Sequence, residues 1–244
     1  MFTRLSNRIN FRMSGYFGGT GAVIPVLMIL CFTAVMYSIK PGNIIDSYIV
    51  SGVFAFCLMV FVAVGIGGKE NTVQEQILFL IEKRWVDYYI ARELSLIVIT
   101  IVYCFFIALG PVYANLVYRF SFFTRILTVN DVIAGFFVVL AGGLSGNTIG
   151  DFLNIRVMKN RRMALMLTVL IALLTTVYEG ICQEVPRVAI LGYIFPPVML
   201  PAKEFIGGEI FEAGKVFAIV LYTIVYCLVL STIKIILMNR NRFE

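Results

Sequence analysis

The chain has 244 residues, of which 60% are hydrophobic and only 14% are charged, and its mean hydropathy is +0.94. This composition lies outside the usual range of soluble domains and indicates a protein surrounded mostly by lipid. The chain contains no histidine, which removes the commonest metal ligand and general base, and its net charge of +6 fits contact with anionic lipid headgroups.

The N-terminal sequence MFTRLSNRINFRM predicts a helix that lies in the plane of the membrane surface. Its apolar residues recur at steps of three and four and therefore share one helical face. Arg4, Arg8 and Arg12 form a stripe along the flank, from which their guanidinium groups can reach lipid phosphates. We expect residues 1–16 to anchor the chain at the interface. The alternative is a frayed polar tail, because the segment is short.

Six apolar stretches, each about long enough to cross a bilayer as a helix, follow at 20–39, 47–67, 94–115, 129–149, 163–182 and 215–238. Backbone groups in hydrocarbon must bond within their own segment, so each crossing is expected to be helical. The predicted fold is an all-α polytopic membrane protein with one transmembrane domain over 1–244.

The 20 lysines and arginines are distributed unevenly between the two sides of these crossings. Most fall in the N-terminal tail, the second and fourth connections and the C-terminal end. The positive-inside rule then places both termini in the cytoplasm, and we expect the cell membrane as the location. The sequence contains no patch of basic and aromatic residues of the kind that would predict binding to nucleic acid.

The second connection, residues 69–93, is long and charged. Val73, Ile77, Leu80 and Ile81 recur at helical spacing and polar residues occupy the positions between them, which predicts an amphipathic cytoplasmic helix. The alternative is a solvated loop that only connects the second and third crossings, but such a loop needs only a few residues.

The run KENTVQEQILFLIEKRWVDYYIAREL, which begins at Lys69, resembles the segment after the second transmembrane helix in permeases of the ABC transporter type-2 class. The pattern in that family is an acidic residue, Gly-Thr-x-Glu, an apolar pair, then Ser-Arg and an aromatic residue. The matching positions here are Glu70, Thr72, Glu75, Ile77, Leu78, Arg84, Tyr88 and Tyr89. Asn71 stands where the family has glycine, and IEKRW replaces its Pro-x-Ser-Arg, so the end of the coupling helix is not defined by the resemblance.

This resemblance implies that the segment is a coupling helix that docks on a separate cytoplasmic ATP-binding cassette ATPase. The residues expected to meet that ATPase are Glu70, Thr72, Glu75, Gln76, Ile77, Leu80, Lys83 and Arg84. The implied complex has two ATPase copies, which carry ATP and magnesium, and a second permease, either identical or homologous. The order of interfacial helix, six crossings, coupling segment and outer hairpin is also similar to that class over nearly the full length.

The outer hairpin is predicted at residues 184–212, between the fifth and sixth crossings. Its apolar core is too short to span a bilayer, and Pro196, Pro197 and Pro201 interrupt any continuous helix. The segment is similar to the small extracellular helices that cap the translocation path in the type-2 class. From physical principles alone, the alternative is an apolar loop that is partly embedded in the outer leaflet.

The chain lacks a phosphate-binding loop of its own. The nearest stretch, AVGIGGKE at 63–70, has Ala63 where that motif needs glycine and Glu70 where it needs serine or threonine. We therefore expect no catalytic site, metal or cofactor in this chain. An intramembrane enzyme is the competing hypothesis, but the sequence does not supply a nucleophile, a base and an orienting group that could form a catalytic site.

Small and polar residues inside the crossings indicate how the helices pack and where a path could run. Gly142, Gly146 and Gly150 repeat every four residues, which predicts close helix packing. The candidates for lining a path are Thr168, Thr175, Thr176, Tyr178 and Tyr222, with hydrogen bonding between helices as the alternative role. Asp131, Asp151, Glu179 and Lys234 fall toward helix ends, where snorkelling lowers the cost of a charge, and predict no dedicated ion site.

A path bordered by aromatic and aliphatic groups suits an amphipathic or hydrophobic cargo. Our first expectation is a peptide such as a bacteriocin, lantibiotic or cytolytic toxin, handled for export or for self-immunity, by analogy with the family. Drugs, lipids and sodium are alternative cargoes, and a membrane scaffold without transport is an alternative function.

Overall fold

The computed structural model describes residues 2–38, 40, 42–69, 85–153, 160–184, 195–205, 207–208 and 210–240. The fold over these ranges is all-helical, as predicted. The helices are α1 (Phe2–Phe17), α2 (Val23–Met36), α3 (Ile44–Lys69), α4 (Trp85–Ala108), α5 (Gly110–Val117), α6 (Val129–Phe152), α7 (Arg161–Glu184), α8 (Leu200–Glu204) and α9 (Ala213–Arg240). Short 3-10 turns at Thr20–Ala22 and Pro197–Met199 precede α2 and α8.

Four spans in the described chain are long and apolar enough to cross a membrane: Ile44–Gly67, Tyr89–Val117, Val129–Phe152 and Ala213–Met238. A fifth is possible at the N-terminus, where Ile9–Phe17 and Thr20–Met36 pass the same test together but are bent by 73°. The apolar part of α7, Arg162–Tyr178, is shorter. The described chain is therefore a helical membrane protein with four or up to five such spans, and the crossing predicted at 163–182 stays a prediction.

The third predicted crossing is broken near its end. α4 stops at Ala108 and α5 begins at Gly110, with Pro111 in its first turn. Proline has no backbone N–H to donate, and its ring clashes with the carbonyl four residues earlier, so a continuous helix is interrupted here. The two helices together still form one apolar span.

α6 lies at the centre of the bundle and packs most extensively on α3, then on α9 and α4. Gly142, Gly146 and Gly150 face the backbone of α3 at Gly52, Phe56 and Val60, respectively. A Cβ placed on Gly150 would lie 2.7 Å from the Val60 carbonyl oxygen, and the other two glycines leave still less room. Their hydrogen side chains allow the two backbones to touch, which is how helices gain van der Waals contact in lipid.

The start of α6 is fixed by a buried carboxylate. Thr128 and Asp131 form a capping box, in which each side chain bonds the backbone N–H of the other residue. Arg125 donates from both terminal nitrogens to the two Asp131 oxygens at 2.7 Å. Asp131 is buried and paired, so the prediction that it snorkels to solvent is wrong.

Tyrosines join α2, α3 and α5 beside this end of α6. The Tyr37 hydroxyl shares a 2.8 Å hydrogen bond with Ser47, and Tyr118 donates to the Tyr37 carbonyl oxygen at 3.2 Å. Both bonds are made by uncharged groups, so they join the helices without carrying a charge into the bundle.

α1 covers the N-terminal segment predicted to be interfacial. Its C-terminal end packs on α4, where Tyr16 and Tyr103 share a hydrogen bond of 3.0 Å between their hydroxyls. Tyr103 is midway along the span Tyr89–Val117, so this end of α1 lies beside the middle of that span. Arg12 lies on α1, whereas the side chains of Arg4 and Arg8 are outside the described part of the chain. The interfacial position of the whole segment stays a prediction.

We predict that Gly146→Ala lowers the stability of the folded protein by about 1–3 kcal/mol, because the added methyl group meets the Phe56 backbone. The measurement is thermal unfolding of the purified protein in detergent. Gly65→Ala is the matched control, since Gly65 lies in α3 with open space around it. Its substitution should be neutral or stabilising through helix propensity. Equal effects of the two changes would contradict the tight α3–α6 contact.

Candidate functional site: a cavity and a buried ionic cluster

A cavity of about 610 Å³ lies between α7, the segment at 195–204 and the first half of α9. It is bordered by Thr175, Tyr178, Cys182, Phe195, Pro196, Pro197, Met199, Leu200, Lys203, Glu204, Lys215, Ala218, Ile219 and Tyr222. Pro196 is extended, and the 3-10 turn Pro197–Met199 and the short helix α8 follow it. The cavity therefore has two walls of long helix and one irregular wall, residues 195–204, in which only short turns form.

The walls of the cavity are mainly aromatic and aliphatic. The rings of Tyr178 and Phe195 lie 5.3 Å apart between centroids, so α7 and the irregular wall are in direct contact. Charges occur at Lys203, Glu204 and Lys215. Lys215 also forms an exposed ion pair with Glu212 at 2.8 Å. An apolar wall with a few polar and charged groups is the usual composition of a site for an organic ligand.

Three of the five residues predicted to line a path border this cavity, namely Thr175, Tyr178 and Tyr222. Thr168 and Thr176 are not among its lining residues. The hydroxyls of Thr168, Thr175 and Thr176 each donate to a carbonyl oxygen of their own helix at 2.7–2.8 Å. These bonds within one helix satisfy the hydroxyls, so the hydrogen bonds described for them do not join separate helices.

A second polar feature, the ionic cluster, consists of Arg92, Glu93, Asp151 and Lys234. Arg92 donates from Nη2 to Oδ1 of Asp151 at 2.6 Å. Lys234 donates from Nζ to Oδ2 of Asp151 and to Oε1 of Glu93. The cluster therefore joins α4, α6 and α9 at the end of the bundle where α4 begins and the other two helices finish.

The ionic cluster is almost fully buried. Arg92, Asp151 and Lys234 are 1%, 2% and 2% exposed, and Glu93 is 17% exposed. Burying an isolated charge costs several kcal/mol, and each charge here is offset by at least one opposite charge in contact. Ionisable groups inside membrane spans are rare and mark functional sites by default.

The sequence-based expectation that Asp151 and Lys234 snorkel to the interface is wrong, because both side chains are buried in the ionic cluster. The third crossing was expected to start at residue 94, which placed Arg92 and Glu93 in a connection. In the structure α4 begins at Trp85 and carries both residues into the bundle. The available sequence signal for the ionic cluster was that charges of both signs, at positions 92, 93, 151 and 234, fall at the same end of the predicted crossings. The side chain of Glu179 is outside the described residues.

The residues expected to meet the ATPase, Glu70, Thr72, Glu75, Gln76, Ile77, Leu80, Lys83 and Arg84, lie outside the described residues. Their role stays a prediction. In the part of the chain that the structure covers, no group of three or more Cys, Asp or Glu residues is arranged to hold a metal ion.

Comparison with protein-family models, curated proteins and solved structures finds no match for this chain. The fold and composition define it as a helical membrane protein.

We predict that Asp151→Asn destabilises the protein by about 3–5 kcal/mol, because Arg92 and Lys234 both lose a buried partner charge. The double variant Arg92→Met/Asp151→Asn should recover part of this loss, since the pair of Lys234 and Glu93 remains. Unfolding in detergent measures both changes.

The control for this series is Glu212→Gln, which removes one charge from the exposed pair with Lys215. We expect an effect of about 0–1 kcal/mol, as for other surface ion pairs. A loss at Asp151 no larger than the loss at Glu212 would show that the ionic cluster does not stabilise the bundle.

Proposed function

We propose that this chain is the permease subunit of an ATP-driven exporter of the ABC transporter type-2 class. It forms half of a translocation path and depends for energy on a separate cytoplasmic ATPase, present in two copies that carry ATP and magnesium. The observation that carries the proposal is the cavity between α7, residues 195–204 and α9, which offers an apolar site inside a helical membrane protein. The resemblance of residues 69–94 to a coupling segment supports the same class.

The proposed assembly contains a second permease, identical or homologous, because six crossings are half of the usual complement for the class. We place the assembly in the cell membrane with both chain termini in the cytoplasm, on the distribution of lysine and arginine. In this orientation the cavity is near the outer face and the ionic cluster is near the cytoplasmic face.

The proposed cargo is an amphipathic or hydrophobic peptide, a toxin, bacteriocin or lantibiotic, moved for export or self-immunity. Tyr178, Phe195 and Tyr222 supply broad apolar surfaces, and Lys203 and Glu204 supply polar contacts. A volume of about 610 Å³ is in the range of sites for drug-sized molecules, so the cavity would hold one segment of a peptide at a time. The same volume favours a hydrophobic drug or a lipid as the second candidate cargo.

The proposal predicts that an ATPase co-purifies with the protein when it is solubilised in detergent from its native membrane. Reversing the charges of Glu75 and Arg84 together should remove that ATPase activity from the eluate and leave membrane insertion unchanged. The reason is that docking surfaces are sensitive to like-charge contacts. ATPase activity in the eluate and the amount of inserted permease are measured on the same preparation.

The matched control reverses two exposed charges, Asp46 in the first turn of α3 and Arg119 after α5. Neither lies in the coupling segment or at the cavity, so the co-purified ATPase should be unchanged. An ATPase that stays bound after the Glu75 and Arg84 reversals would contradict the assignment of the coupling segment. Absence of any ATPase from the wild-type eluate would contradict the transporter proposal itself.

We further predict that Ala218→Trp weakens binding of a fluorescent amphipathic Leu/Lys peptide by about tenfold or more, equivalent to ~1.4 kcal/mol or more. Ala218 borders the cavity, so the indole occupies volume that the ligand needs. Fluorescence anisotropy with the protein in lipid nanodiscs measures the affinity.

Ala213→Trp is the control, because Ala213 is exposed at the start of α9 and does not border the cavity. A rhodamine-type dye tested in parallel separates the two candidate cargoes. Loss of dye binding alone would favour a small hydrophobic cargo, and unchanged binding of both probes would show that the cavity is not the binding site.

A further inference from the structure

One helix, α9, takes part in both the cavity and the ionic cluster. Its first half borders the cavity through Ala218, Ile219 and Tyr222, and its second half holds Lys234. Lys234 lies twelve positions after Tyr222, which corresponds to about 18 Å along a helix at ~1.5 Å per residue. α9 is one uninterrupted helix over Ala213–Arg240, so a rigid shift of this helix at Lys234 would also move its residues that border the cavity.

Among the described residues, the carboxylates that contact Lys234 lie on helices with different surroundings. Asp151 belongs to α6, which is held against α3 by the glycine contact at positions 142, 146 and 150. Glu93 belongs to the start of α4, the helix that begins immediately after residues 70–84. Lys234 therefore links the cavity wall both to the centre of the bundle and to the helix that follows the proposed coupling segment.

We propose that Lys234 is a positioning residue that couples the start of α4 to the cavity through α9. This inference rests on the proposed function, because the displacement of α4 comes from the ATPase bound at residues 70–84. The ion pair with Asp151 holds α9 on the bundle, and the ion pair with Glu93 makes its position depend on α4. Nucleotide binding by the ATPase then changes the width of the cavity. The cavity residue Tyr222 lies about 18 Å from Lys234 along α9, at ~1.5 Å of rise per residue.

The native cysteines provide the measurement. Cys182 borders the cavity, whereas Cys227 lies on α9 and is not among the residues that border it. The complex with its co-purified ATPase is treated with a small water-soluble maleimide, with and without ATP and magnesium. Labelling of each cysteine is then quantified by mass spectrometry of its peptide.

In the wild-type complex, we expect nucleotide to change the labelling rate of Cys182 by about fivefold or more, the lower end of typical coupling between sites. Lys234→Met should abolish this response, and Lys234→Arg, which keeps the charge, should retain it. Labelling of Cys227 should not increase in the variants. A general loosening of the bundle would raise the labelling of Cys227 as well, and that result would overturn the positioning role.

A second variant keeps the test decisive if Lys234→Met does not fold. Glu93→Gln/Lys234→Met removes one charge of each sign and leaves the pair of Arg92 and Asp151 at 2.6 Å in place. We expect this variant to bind the ATPase and to lose the response of Cys182 to nucleotide. A response that equals that of the wild type would overturn the inference.

The outcomes separate this inference from the function on which it rests. If the ATPase co-purifies but Cys182 responds equally in the wild type and in Glu93→Gln/Lys234→Met, only the role of Lys234 fails. The same conclusion follows if Cys182 in the wild type does not respond to nucleotide. If no ATPase co-purifies with the wild type, the proposed function fails and the coupling role fails with it.

Discussion

The close contact between α6 and α3 is the interaction on which the arrangement of the other helices depends. Lipid tails are as apolar as leucine, so helices in a membrane associate through van der Waals contact and polar groups instead of the hydrophobic effect. Gly142, Gly146 and Gly150 give α6 a flat face against α3, and Gly143 brings a second face against Cys104 and Thr100 of α4. α6 therefore provides the fixed surface against which α4 and α9 pack.

The carboxylates at the two ends of α6 show how charges are accommodated in this bundle. Asp131 lies in the first turn, where the positive end of the helix dipole favours a carboxylate, and a single arginine is paired with it. Asp151 lies in the last turn, where the dipole opposes a negative charge. Two cations, Arg92 and Lys234, contact the Asp151 carboxylate. The helix dipole stabilises positive charge at this C-terminal end of α6. Asp151 thus has two cations in contact where Asp131 has one, which offsets its less favourable position on the helix.

Local patterns were enough to locate the apolar helices, because the length of an apolar run and its helical period are properties of neighbouring residues. The ionic cluster could not be predicted in this way, since Arg92, Asp151 and Lys234 are far apart in the chain. Because Arg92 and Glu93 are charged, they were assigned to the preceding connection, which moved the predicted start of the third helix to residue 94. The structure begins it at Trp85, because partners on other helices offset those two charges. Polar residues in apolar helices indicated part of the cavity, whereas its apolar wall at 195–200 gave no polar signal.

The composition of α6 has a consequence for the order in which the membrane protein is assembled. Of the four spans of the described chain that are long and apolar enough, α6 has the lowest mean hydropathy, and it carries small and polar side chains along most of its length. As a lone segment it would partition into lipid less readily than α3, α4 or α9. Its entry into the bilayer is therefore favoured by the earlier-synthesised α3 and α4, which present surfaces that fit its glycines. α9, synthesised last, then adds Lys234 to a carboxylate that already contacts Arg92.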